Sequence, residues 1–155
     1  MSHRAKGFSL IELLVTVSLV GILAAIAIPS FTSVIQNSKA DTEVSDLQRA
    51  LNYARLEAIN RGVSVQLLPA SVGAAWNTEL KVVLSSSTGV TLRTVPAMSS
   101  GATVSAPNVT YVEFNNLGGL QAPGTAVAMA YALGTISKTI NVCLNGRIVL
   151  GGSCT

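Results

Sequence analysis

The 155-residue chain holds one histidine, His3, and two cysteines, Cys143 and Cys154. A lone histidine near the start and two cysteines outside any C-x-x-C spacing do not make the common zinc or dithiol sites. No G-x-S-x-G, Walker-type loop or recognisable carboxylate pair is present, so neither catalysis nor a cofactor is expected. Charge is scarce: 11% of residues are charged, against about 25% in an ordinary soluble domain. The formal charge is +3, but Lys and Arg are scattered and form no cluster that would track phosphates. Aromatic residues make up 5%. Trp76, Tyr111 and Tyr131 are candidates for stacking on a ligand, although a lone Trp near Pro69 reads first as packing.

The missing charge is explained by what stands near the N-terminus. Phe8 to Ile28 form an apolar run of 21 residues. As a helix it spans about 30 Å, the thickness of a bilayer core. His3, Arg4 and Lys6 precede it and stay cytoplasmic under the positive-inside rule. The rest of the chain then lies outside the cytoplasm. A cleaved signal peptide is the rival reading. The run is long for one, and its small residues, Ala25 and Ala27, lie inside the apolar stretch.

Pro29 allows a kink without ending the helix. Beyond it Val44, Leu47, Leu51, Ala54 and Ala58 recur by threes and fours, one apolar stripe at helical period. Arg55, Glu57 and Arg61 read as surface charges, and Gly62 suits a C-cap. The pattern predicts one helix from Phe8 to Arg61, apolar all round at first and amphipathic later. After Gly62, strands are expected at Val63–Leu68, Leu80–Leu84, Val90–Val95, Val109–Phe114, Ala126–Leu133, Ile136–Leu144 and Arg147–Leu150. Asn145-Gly146 is a strong hairpin signal, Leu133-Gly134-Thr135 a weaker one, and Pro96–Pro107 reads as a loop. The expected fold class is α+β: a long N-terminal helix packed on an antiparallel β-sheet.

Two features carry chemistry. Glu12 sits inside the apolar span, where a carboxylate costs about 2–4 kcal/mol, so it needs a partner or must snorkel to the interface. Cys143 and Cys154, in an exported chain, pair naturally as a disulfide; two unpaired buried thiols are the alternative.

Lys6-Gly7-Phe8-Ser9-Leu10-Ile11-Glu12 resembles the class III leader of type IV pilins and type II secretion pseudopilins. The resemblance implies that a prepilin peptidase cuts between Gly7 and Phe8 and methylates Phe8. Glu12 then becomes the fifth mature residue, pairing in assembly with the amine of a neighbouring subunit. Residues 1–7 would be the leader, 8–28 the transmembrane and filament-core helix, and 29–155 the periplasmic domain. The chain would sit in the inner membrane as a single-pass protein and then enter a surface pilus with other minor and major pilins or pseudopilins.

Leu51-Asn-Tyr-Ala-Arg-Leu-Glu-Ala-Ile-Asn-Arg-Gly62-Val-Ser-Val resembles the A-R-S-E-A-I-x-R-G signature of the FimT/FimU/GspH group, with Leu56 in place of the serine. The ending Gly146-Arg147 also fits, but the DNA-binding FimT branch has G-R-x-R, and here Ile148 and Val149 follow. Arg147 is left as the candidate DNA contact, and DNA is not an expected partner. The ending is nearest to FimU-like minor pilins, which take part in initiating and assembling the pilus at or near its tip. A GspH-type pseudopilin and a FimT-type DNA-uptake pilin are the alternatives. The resemblance covers about the first sixty residues and the last dozen; residues 64–142 match no pattern.

Overall fold

A computed structural model describes residues 8–154, and for residues 27–30 the backbone alone. His3, Arg4, Lys6 and Gly7, and with them the leader, lie outside the described residues. Two compact units divide between Gln36 and Asn37.

One helix, α1, runs from Leu10 to Arg61, unbroken through Pro29. Its start is set by Ser9, whose Oγ accepts the Glu12 N–H at 3.2 Å, the N-cap bond to the third helical residue. Two hydroxyls inside the apolar run are satisfied by the helix itself. Thr16 donates to the Leu13 carbonyl and Ser18 to the Leu14 carbonyl, each at 2.8 Å. Such back-bonding lets a hydroxyl sit in an apolar medium. The helix stops where Gly62 adopts φ 67°, the left-handed C-terminal turn that favours glycine.

From Asn37 onward the helix is amphipathic. Val44, Leu47, Leu51, Ala54 and Ala58 are all buried, joined by Ala40 at the stripe's start. The described residues after the helix form nine strands: β1 Val65–Pro69, β2 Leu80–Leu84, β3 Ser87–Val95, β4 Ala102–Ser105, β5 Val112–Phe114, β6 Leu120–Ala122, β7 Val127–Leu133, β8 Ile136–Val142 and β9 Ile148–Leu150. They form two antiparallel sheets where the sequence pattern suggests one. The first has the order β3-β2-β1-β5-β6, the second β4-β7-β8-β9. Val65, Leu67, Val112 and Phe114 of the first share one core with Val127, Met129, Tyr131 and Ile140 of the second and with the helix stripe. A main-chain bond ties the sheets, Leu120 N–H donating to the Leu144 carbonyl at 2.9 Å.

The Pro96–Pro107 stretch is not wholly loop. Ala102 and Val104 point into the core while Ala102–Ser105 pairs with Ala130–Leu133, so burial overrides a weak local propensity. β6 was also unforeseen, and β5 is shorter than expected, beginning at Val112.

Candidate functional site

The first candidate region is the N-terminal unit. Every described large apolar side chain from Phe8 to Ile35 is exposed, and Phe8 is 79% exposed. Between Phe8 and Ser38 the only charged residue is Glu12. A helical surface that is apolar all round is stable in lipid or against other apolar helices, not in water. Glu12 lies in the first turn, where the exposed amides of the helix start favour a negative charge. Ser9 and Glu12 also have the spacing of a capping box.

The second region is the C-terminal hairpin. β8 and β9 are antiparallel neighbours, with Val142 opposite Ile148. The turn between them closes through Gly146 N–H to the Cys143 carbonyl and Cys143 N–H to the Arg147 carbonyl, both 2.8 Å. Gly146 has φ 77°, the left-handed position of a three-residue hairpin loop. Asn145 Oδ1 accepts the Arg147 N–H at 3.0 Å. Past β9 the tail returns alongside β8: Gly151 N–H donates to the Thr139 carbonyl at 2.8 Å, and Asn141 Nδ2 donates to the Gly152 carbonyl. Cys143 and Cys154 are joined by a disulfide, their Cα atoms 5.3 Å apart.

A third region joins these elements and was missed from sequence. Arg55 is not a plain surface charge. Its Nε donates to the Gly118 carbonyl at 2.9 Å, tying α1 to the β5–β6 turn. Asn115 Oδ1 holds that turn by accepting the N–H groups of Leu117 (3.0 Å) and Gly119 (2.9 Å). Gly146 packs on the same carbonyl. Signature helix, internal turn and terminal hairpin therefore meet at one place. Glu57 and Arg61, by contrast, pair with each other one turn apart at the surface.

Glu43, off the apolar stripe of α1, is half-buried. Its carboxylate accepts the Ser99 N–H at 2.7 Å and the Tyr131 hydroxyl at 2.6 Å. Burial alone would raise its pKa, but these two donors, with Lys39 nearby, hold it below the usual carboxylate value. Burial, and then the Glu43 carboxylate, push the Tyr131 phenol well above its ordinary value. Tyr131 is fully buried, and Trp76 is buried with its indole N–H on the Val109 carbonyl at 2.8 Å. Neither offers a stacking surface. Among the described residues no three His, Cys, Asp or Glu side chains converge as metal ligands.

An apolar helix carrying one carboxylate, followed by an α+β domain closed by a C-terminal hairpin, defines a pilin-type protein. Residues 43–147 match the family model described as type II transport protein GspH, and residues 2–28 match the prokaryotic N-terminal methylation motif. The chain is 28% identical over 151 residues to the type IV major fimbrial protein FimA of Dichelobacter nodosus, covering 97% of this chain and 81% of that one. It is 51% identical over 55 residues to a fimbrial protein of Pseudomonas aeruginosa, a match spanning 34% of this chain and 36% of that protein's length. Two crystal structures of the type IV minor pilin FimU of Pseudomonas aeruginosa share the fold. One superposes with TM-score 0.62 at 22% identity over 77% of this chain and 94% of the other. The second gives TM-score 0.61 at 24% identity over 77% and 99%. The chain belongs to the family described as type II transport protein GspH.

Proposed function

We propose that this chain is a minor type IV pilin that helps initiate and assemble the pilus, at or near the filament tip. The observation that carries the reading is the N-terminal unit: an exposed apolar helix with Glu12 as its one charge. Before assembly that surface suits the inner membrane, with the domain from about Pro29 onward in the periplasm. After assembly the same surface packs against the helices of other pilins. In an apolar filament core, Glu12 pairs with the α-amine of a neighbouring subunit. That pairing favours one axial register, because any other leaves a buried charge unpaired. The amine becomes available when a prepilin peptidase cuts between Gly7 and Phe8 and methylates Phe8. The role is structural, not catalytic.

The full-length similarity to a major fimbrial protein and the fold shared with FimU favour a pilus over a secretion pseudopilin. The GspH family model keeps the pseudopilin as the second reading. DNA capture is disfavoured by how the cations are engaged. Arg49, Arg61 and Lys138 form ion pairs, Arg55 binds a carbonyl, and the Arg93 guanidinium carbon lies 5.2 Å from the centre of the Tyr53 ring. Glu12→Ala tests the proposal. The variant should remain in the membrane fraction but be depleted from sheared filaments at least severalfold; normal incorporation would refute the assembly role.

A further inference from the structure

We propose that a polar cleft beside the C-terminal end of α1 binds a guanidinium group, presented as an arginine side chain by a neighbouring pilin. The cleft is an open concavity of about 510 Å³, lined by Gly62, Ser64, Ser85, Glu113, Asn116 and Gln121, among others. Its floor is Glu113. Val112 and Phe114 point into the core, so strand alternation turns Glu113 to the opposite face of the sheet, beside Gln66 of β1. There it is only 6% exposed.

Among the described residues, Glu113 is held by neutral donors. The Ser85 hydroxyl donates to Oε1 at 2.6 Å, while Gln66 Nε2 reaches Oε2 at a long 3.4 Å. None of the ion pairs given by the described residues, Arg49–Asp46, Arg61–Glu57 and Lys138–Asp41, includes Glu113, although Arg61 directly precedes Gly62 at the cleft's edge and is engaged by Glu57. Two neutral donors leave lone pairs of the carboxylate that a cationic donor can take. A cation entering the cleft gains a charge-assisted hydrogen bond there.

A second, independent feature has the same sign. Gly62 lines the cleft and directly follows Arg61, the last residue of α1; the terminal carbonyls of the helix carry partial negative charge, and the Arg61 guanidinium is turned to Glu57. Gln121 adds an acceptor, its Oε1 held by the Ser64 hydroxyl at 2.9 Å. Separated acceptors around one carboxylate suit the planar, five-donor guanidinium better than a compact, strongly hydrated ammonium. A calcium ion wants six to eight oxygens and commonly several carboxylates, and no acidic cluster is present among the described residues. The source of the side chain rests on the filament reading; the chemistry of the cleft does not.

The test is an NMR titration of the full chain in a neutral detergent, with N-acetyl-arginine-N-methylamide as probe. Its citrulline analogue and calcium chloride serve as the other arms. Saturable shifts at Gly62–Ser64, Ser85, Glu113 and Gln121 are expected with arginine, at least tenfold weaker with citrulline and in Glu113→Gln. Glutamine keeps an acceptor for Ser85, and a melting curve checks the fold. Should that variant not fold, Gln121→Leu at the exposed rim should weaken binding severalfold with the fold intact. Equal binding of citrulline, no saturable shift with arginine, shifts with calcium alone, or variants that bind normally would each overturn the proposal. None of these outcomes depends on filament entry, so the Glu12→Ala result stands apart from them.

Discussion

A β-carbon added at Gly146 would fall 1.8 Å from the carbonyl oxygen of Gly118. The terminal hairpin is thus pressed against the β5–β6 turn with no room for a side chain. That same carbonyl accepts the hydrogen bond from Arg55. One peptide group therefore locks α1, the first sheet and the second sheet together.

Gly146→Ala should be strongly destabilising, and Gly151→Ala is its control. Both glycines have positive φ, 77° and 64°, but nothing lies within 4 Å of a β-carbon at Gly151. Gly151→Ala should cost only the left-handed backbone penalty, about 1–2 kcal/mol. Gly146→Ala adds displacement of the neighbouring turn, about 1–3 kcal/mol more. Chemical denaturation of both variants checks this; equal losses would show that the close approach carries no energy.

Arg55→Met should lower stability by about 1–3 kcal/mol, because it leaves the part-buried Gly118 carbonyl without its charged donor. Arg55→Lys should recover part of that loss. A surface-charge role instead predicts that Arg55→Met is nearly silent, which the same denaturation curves would reveal.

The helix was legible in the sequence because its signals are local. Val44, Leu47, Leu51, Ala54 and Ala58 repeat at helical period, and Gly62 supplies the stop. The pairing of strands into two sheets was not legible. Alternation reveals which face of a strand is buried but not which strand lies beside it. Ala102–Ser105 was hidden by its Ser, Gly and Ala surroundings, and Leu120–Ala122 by its brevity. Arg55 and Glu43 escaped for a different reason. On a helix, charges off the apolar stripe look alike, and their partners Gly118 and Tyr131 lie 63 and 88 residues away in sequence.

Stability should fall in acid through Glu43. Its folded pKa lies below the ordinary carboxylate value of 4.5, so its contribution is full above about pH 4.5 and is lost as pH drops through the folded value. Tyr131 acts at the other end. Its raised folded pKa contributes fully below about pH 10 and weakens as pH climbs beyond that. Denaturation midpoints measured from pH 7 to pH 3 should fall less in Tyr131→Phe than in the parent chain. Parallel curves would mean that the pair does not govern the acid limb.

Mature protein purified from its membrane should begin at N-methylated Phe8. The match of residues 2–28 to the N-terminal methylation motif and the Gly7-Phe8 junction motivate this expectation. Intact-mass and terminal-peptide spectrometry decide it. A chain that keeps Met1 would lack the Phe8 amine that Glu12 needs, and one cut near Ala27 would lack Glu12 itself; either removes the proposed register.

Loss of the Cys143–Cys154 disulfide should unfasten the tail without abolishing the fold. The bond joins residues 11 apart in sequence. Closing so short a loop in the unfolded chain is worth about 2–3 kcal/mol of entropy. In the folded state the bond acts on the same tail as the Gly151–Thr139 main-chain bond and the Asn141 amide on Gly152. The core does not depend on it, since Val142 and Ile140 are buried by the sheet and the helix. A Cys143→Ser, Cys154→Ser double variant should therefore keep its circular dichroism spectrum while its unfolding midpoint falls. Amide exchange should rise at Gly151, whose N–H is otherwise bonded to Thr139, and stay low at Leu67 and Met129. The Gly146 turn, held by Gly118 on its other side, should remain protected. Exchange that rises equally across both sheets would show that the disulfide supports the whole domain.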